Sequence, residues 1–133
     1  MHPRRRVLVY SNNAHTRERI RLALRMSIDR SSTPVDFIEV ATADAAVQRV
    51  SSGGIDMAVL DAEASPAGGL GLAKQLKDEL QQCPPIAVII ARDDDAWLAK
   101  WSRADVVVSQ PIDPVVLTQA IVPMLDGRLT LTD

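Results

Sequence analysis

Asp61 ends the run Met57-Ala-Val-Leu-Asp61, a carboxylate set directly behind four apolar residues. A buried strand of that kind delivers its last side chain to the carboxyl end of a sheet, where an aspartate can act as a nucleophile. The residues able to join it sit at similar breaks in the chain. Ser11-Asn12-Asn13, Ile90-Ala91 and Gln110-Pro111 each follow an apolar run. If those runs are neighbouring strands, one carboxylate, several amides and a hydroxyl converge. The plainer roles are a loop cap for Asp61 and helix caps for Asn12 and Asn13. His15 permits a Ser11/His15/Asp61 grouping on paper. No G-x-S-x-G elbow supports a hydrolase, so His15 reads as a surface histidine at a helix start.

The elements that must position these residues alternate. Residues 7–10, 36–40, 57–60, 86–90 and 106–108 read as strands, several apolar at successive positions. Such runs mark strands buried on both faces of a parallel sheet. Between them lie helices. The first spans about 13–27, with Asn13 as cap and a stripe of Ile20, Leu24 and Ile28. Thr42 caps a second over 43–51, which Gly53 and Gly54 end. Gly68, Gly69 and Gly71 precede or open a third carrying Leu72, Leu76 and Leu80, stopped by Cys83-Pro84-Pro85. A fourth covers about 94–102, and a fifth starts at Asp113-Pro114, with Pro123 ending or kinking it. Five β-α units imply right-handed crossovers and a doubly wound α/β sheet with helices on both faces.

The 133 residues fit one domain, expected over 1–126 with a short tail at 127–133 and no output module. Fifteen basic against seventeen acidic residues give a net charge of −2, which offers no broad case for nucleic acid. The basic Arg4-Arg5-Arg6 reads as a solvated lead-in to the first strand. Cys83 is the single cysteine, so no internal disulfide or zinc cluster is expected, and a reducing cytoplasm is the natural setting. The longest apolar run, residues 86–91, is far too short to span a bilayer.

Taken together, the strand ends resemble those of response-regulator receiver domains over nearly the full chain. Asp56-Met-Ala-Val-Leu-Asp61, followed by Pro66, Gly69 and Leu70, resembles the phospho-acceptor strand and its loop, with the proline one residue late. Residues 86–92 with Asp93-Asp94 resemble strand four and its exit. Ala104-Asp105 through Gln110-Pro111-Ile112-Asp113-Pro114 resembles the Gly-Ala-Asp … Lys-Pro-Phe-Asp-Pro segment. The resemblance implies a flavodoxin-like sheet of order 2-1-3-4-5, phosphorelay signalling rather than enzymatic turnover, and Asp61 at the phospho-acceptor position.

The departures fall inside the pocket. Ser11 and Asn12 stand where receivers carry the acidic pair that holds Mg²⁺. Ile90 replaces the Thr or Ser that hydrogen-bonds the phosphoryl group, Gln110 replaces the lysine, and Val107 replaces the switch aromatic. Only Asp61 keeps a charge, with Asn12 offering a neutral oxygen, so Mg²⁺ binding is expected to be weak or absent. The sequence therefore reads as a degenerate, stand-alone pseudo-receiver acting by protein contact. A normally phosphorylated receiver is the alternative within the class.

Trp97 and Trp101 lie four residues apart, on one face of the fourth helix. Trp101 falls where receivers carry a solvent-facing polar residue. In that family the surface of helix four, strand five and helix five meets partners. Trp97, Trp101 and Val107 are therefore expected to face a protein partner, a histidine kinase or other signalling protein, or a second copy. From another class, a flavodoxin-like cofactor binder fits less well. No glycine lies between Ser11 and Thr16, and the one Tyr and one Phe both sit on strands.

Overall fold

The computed structural model describes residues 4–28, 34–91 and 96–125. Strands β1 (Arg5–Tyr10), β2 (Val35–Val40), β3 (Met57–Asp61), β4 (Ile86–Ile90) and β5 (Val106–Ser109) alternate with five helices. These are α1 (Ala14–Ile28), α2 (Ala43–Ser51), α3 (Gly69–Glu79), α4 (Ala96–Ser102) and α5 (Pro114–Leu125). The strands form one parallel sheet of order β2-β1-β3-β4-β5. This is the expected doubly wound topology, and it puts the carboxyl ends of β1, β3 and β4 side by side.

Alternate residues of each central strand enter opposite core layers. Val7, Val9, Met57, Val59 and Ile89 pack with Ile20 and Leu24 of α1 and Leu117 and Ile121 of α5. Leu8, Tyr10, Leu60, Val88 and Ile90 pack with Val50 of α2 and Leu72 and Leu76 of α3. Burial on both faces accounts for the continuous apolar runs. α4 packs beside α3.

The local stop and start signals act largely as their chemistry dictates. The Asn13 Oδ1 accepts from the His15 and Thr16 amides at 2.9 and 3.3 Å, capping α1. Thr42 Oγ1 accepts from the Ala45 amide at 3.1 Å, and Asp113 Oδ1 from the Val115 amide at 2.8 Å. Gly53 and Gly54 adopt φ of 84° and 83°, the left-handed turn that ends α2.

Four expectations need correction. Arg5 and Arg6 belong to β1, and Arg4 forms a two-pronged pair with Asp36 at 2.8 and 2.7 Å, so this segment is no free lead-in. The extension follows from β2, whose Val35 and Asp36 pair with Arg5 and Arg6. The helix α3 ends at Glu79, ahead of Cys83-Pro84-Pro85, because Leu80 turns to extended backbone while its amide still closes onto the Leu76 carbonyl. Pro123 sits within α5, which runs on to Leu125. β3 includes Asp61 itself, paired with Ile89. Asp93, Asp94, the start of the fourth helix before Ala96, the domain end at 126 and the tail 127–133 lie outside the described residues. Among the described residues, no helix is long and apolar enough to cross a membrane.

Candidate functional site

Val9 and Val59 are partners across β1 and β3. Two residues further along each strand direction stand Ser11 and Asp61, which strand periodicity turns to the same side. They meet there: Ser11 Oγ donates to Asp61 Oδ2 at 2.8 Å, with Ser11 fully buried and Asp61 only 4% exposed. The second oxygen, Oδ1, accepts from the Glu63 amide at 2.8 Å. Asp61 is thus a loop cap as well as a strand end, and both of its oxygens are engaged by the chain's own donors.

Ser11 is itself held firmly. Its Oγ accepts from the Asn13 amide at 3.1 Å, and its carbonyl accepts from Arg17 Nη1 at 2.7 Å. Arg17 is in turn paired with Glu39 of β2 at 3.3 Å, where Arg21 also approaches at 3.6 Å. Because the single Ser11 hydroxyl proton goes to Asp61, it is not shared with His15, which stands exposed on the first turn of α1. The hydrolase grouping therefore has no proton relay.

Asn12 takes a different role from the helix cap considered for it. Its Oδ1 reaches across to accept from the Ser65 amide at 2.9 Å, in the loop after β3. Tyr10 donates its hydroxyl to the Ala67 carbonyl in the same loop. Burial first, and the charge of Asp61 second, push the Tyr10 phenol above its ordinary value. The start of α3 lies hard against this loop. A Cβ on Gly69 would stand 2.8 Å from the Asp61 carbonyl, and one on Gly68 2.6 Å from the Ala62 carbonyl. Only glycine permits that approach.

The remaining candidates are spread around this centre. Ile90 is 1% exposed within the core layer under α2 and α3. Gln110 is half-buried just past β5, and its amide donates to the Ile90 carbonyl at 2.8 Å. Val107 is half-buried against the same core layer as Ile90. Trp97 and Trp101 are 70% and 50% exposed, and Lys74 Nζ sits 5.5 Å from the Trp101 ring centre. Tyr10, Arg17 and Ser65 join the site without having been singled out in the sequence. Tyr10 could have been noticed as a phenol adjoining Ser11 on a strand too buried to leave it unpaired. Nothing in the spacing marks Arg17 or Ser65, since each reaches the site through a backbone group.

Among the described residues, no group of three or more His, Cys, Asp or Glu is placed to hold a metal ion.

A scan against models of protein families finds no match for the chain. Relatives from two strains of Mycobacterium tuberculosis, each named an uncharacterized response regulatory protein, are 49% identical over 120 residues, 90% of either sequence. Among solved structures, a CheY-like response regulator receiver domain protein from Methanospirillum hungatei aligns with a TM-score of 0.74 at 16% identity, covering 97% of this chain and 99% of that one. A two-component response regulator of the LuxR family from Aurantimonas aligns with a TM-score of 0.75 at 22% identity, covering 94% and 87%. The structural neighbours define the fold as that of a CheY-like receiver domain. With 49% identity to the mycobacterial relatives, the chain belongs to the response regulator receiver family, a family of two-component signalling.

Proposed function

We propose that this receiver signals through protein–protein contact that does not require a phosphoryl group on Asp61. The observation that carries the reading is the state of that carboxylate: buried, with Oδ2 taken by Ser11 and Oδ1 by the Glu63 amide. Phosphoryl transfer relies on positioned charge to neutralise the transferring group. Here Ser11 and Asn12 bring none, Ile90 brings no hydroxyl, and Gln110 brings a neutral amide where the family has an ammonium. Losing one electrostatic stabiliser costs about 10²- to 10³-fold in rate, and this pocket lacks several.

The residues present do not fit Mg²⁺. The ion demands an octahedral shell of oxygens, usually with one or two carboxylates. Among the described residues, the Asp61 carboxylate is engaged twice, and the Asn12 amide oxygen accepts from Ser65. The contact surface in this reading is the exposed face of α4 carrying Trp97 and Trp101, and the partner is a signalling protein, a histidine kinase among them, or a second copy. Amide chemical shifts of residues 61–65 during a Mg²⁺ titration test the pocket. The expected result is no saturable shift at millimolar Mg²⁺. A saturating shift centred on Asp61 would restore the metal site and, with it, the phosphorylated alternative.

A further inference from the structure

Three successive side chains at the end of β1 all engage the segment that follows Asp61. Tyr10 donates to the Ala67 carbonyl, Ser11 to the Asp61 carboxylate, and Asn12 accepts from the Ser65 amide. The anchor points therefore fall on the last residue of β3 and at two places, Ser65 and Ala67, in the loop that joins β3 to α3. Inside the loop, Asp61 adds bonds from the Glu63 amide to its side chain and from the Ala64 amide to its carbonyl, at 2.8 and 3.2 Å.

Toward α2 the loop is only partly covered. A cleft of about 530 Å³ separates it from the start of α2, with Thr42 and Asp44 on one wall and Ser65 and Pro66 on the other. Ala64 is buried in the core layer shared with α2 and α3, but packing there leaves Ser65 and Pro66 uncovered. The bonds from Tyr10, Ser11 and Asn12 add to that packing a hold from the β1 side.

We infer that Tyr10 and Asn12 form a latch that keeps the β3–α3 loop in one shape with neither a metal ion nor a phosphoryl group in the pocket. This deepens, and rests on, the phosphorylation-independent reading above. An amide suits the latch at position 12. Its oxygen accepts from Ser65 as a carboxylate would, yet it carries no charge to draw a cation away from the loop. A phenol suits position 10. An ordinary phenol is already protonated across the neutral range, and burial and the Asp61 charge oppose its ionisation further, so it remains a donor. The two bonds also approach the loop from different directions: Tyr10 lies in the core layer beneath α2 and α3, whereas Asn12 stands exposed beyond the strand end.

Amide hydrogen exchange on the whole chain tests this, because local opening is read at each bonded amide. Asn12→Ala removes the Ser65 acceptor directly, and Tyr10→Phe removes a bond that Ser65 does not share. Both variants are expected to speed exchange at Ser65, each by about fivefold or more for one lost hydrogen bond, while β3 and β4 amides keep their rates. Millimolar Mg²⁺ is expected to leave the wild-type loop unchanged. The latch is overturned if Tyr10→Phe leaves Ser65 at the wild-type rate, or if Mg²⁺ slows loop exchange in the wild type. Intact mass after treatment of the same samples with a phosphodonor reports separately on the reading beneath it.

Discussion

At the scale of single residues, the environment of Asp61 follows from two strands in register. Ser11 and Asp61 are buried neighbours because Val9 and Val59 are partners, and a buried carboxylate that lacks donors is costly. Tyr10 adds a pH dependence whose sign is fixed. Its folded-state value lies above the ordinary 10.0, so the neutral phenol contributes stability that is fully present below pH 10 and lost as the pH rises past it. Urea denaturation between pH 8 and about 11 is expected to show the wild type losing stability more steeply than Tyr10→Phe. Parallel slopes would mean that Tyr10 ionises in the folded protein as freely as in the unfolded one. The strand-end positions of Ser11, Asn12, Asp61, Ile90 and Gln110 were legible because apolar runs announce where strands stop. The partners of Tyr10, Asn12 and Arg17 were not: each binds a backbone group, those of Tyr10 and Asn12 more than fifty residues away, and backbone groups leave no signature in residue type.

Among the elements, helices with a polar cap and strands with a solid apolar run were read closely. Thr42 and Asp113 place the starts of α2 and α5 where their side-chain oxygens meet the first free amides. Element ends set by tertiary contact were harder. Arg5 and Arg6 extend β1 because β2 runs alongside them, and α3 gives way at Leu80 without a glycine or proline to mark it. The junction of β3 with α3 shows how closely the elements depend on one another. Gly69→Ala would press a methyl group into the Asp61 backbone at 2.8 Å, where no flexible side chain can yield. The expected loss is about 1–3 kcal/mol in urea denaturation, whereas Gly71→Ala, whose Cβ meets open space within α3, is expected to lose nothing or gain up to about 1 kcal/mol. Equal effects at both positions would remove the close approach from the account.

For the whole molecule, order β2-β1-β3-β4-β5 gathers the pocket at one end of the sheet and leaves α4 beside α3 with its two tryptophans outward. Large exposed aromatics are unfavourable to hydration and enriched at binding hot spots. Lys74 over Trp101 offsets a part of that cost, about 0.5–1 kcal/mol at an exposed site; Trp97 is the more open of the two. The double replacement Trp97→Ala and Trp101→Ala is expected to leave the thermal midpoint nearly unchanged and to abolish self-association or binding to a purified partner kinase. Sedimentation across a concentration series and a direct binding isotherm check this, and unchanged behaviour in both would move the contact surface elsewhere. The doubly wound fold was legible from the alternation of runs and periods. That Val107 lies half-buried against the core layer of α2 and α3 was not, since one short strand at the sheet's edge does not reveal which layer covers it.

Phosphorylation-independent signalling stands or falls on Asp61. Its two oxygens are held by Ser11 and the Glu63 amide, in a pocket with no second carboxylate at positions 11 and 12 and no lysine at 110. Incubating the protein with a small-molecule phosphodonor and Mg²⁺, then measuring its intact mass, addresses this without knowledge of any partner. An unchanged mass is expected. A gain of one phosphoryl group that disappears in Asp61→Asn would contradict it.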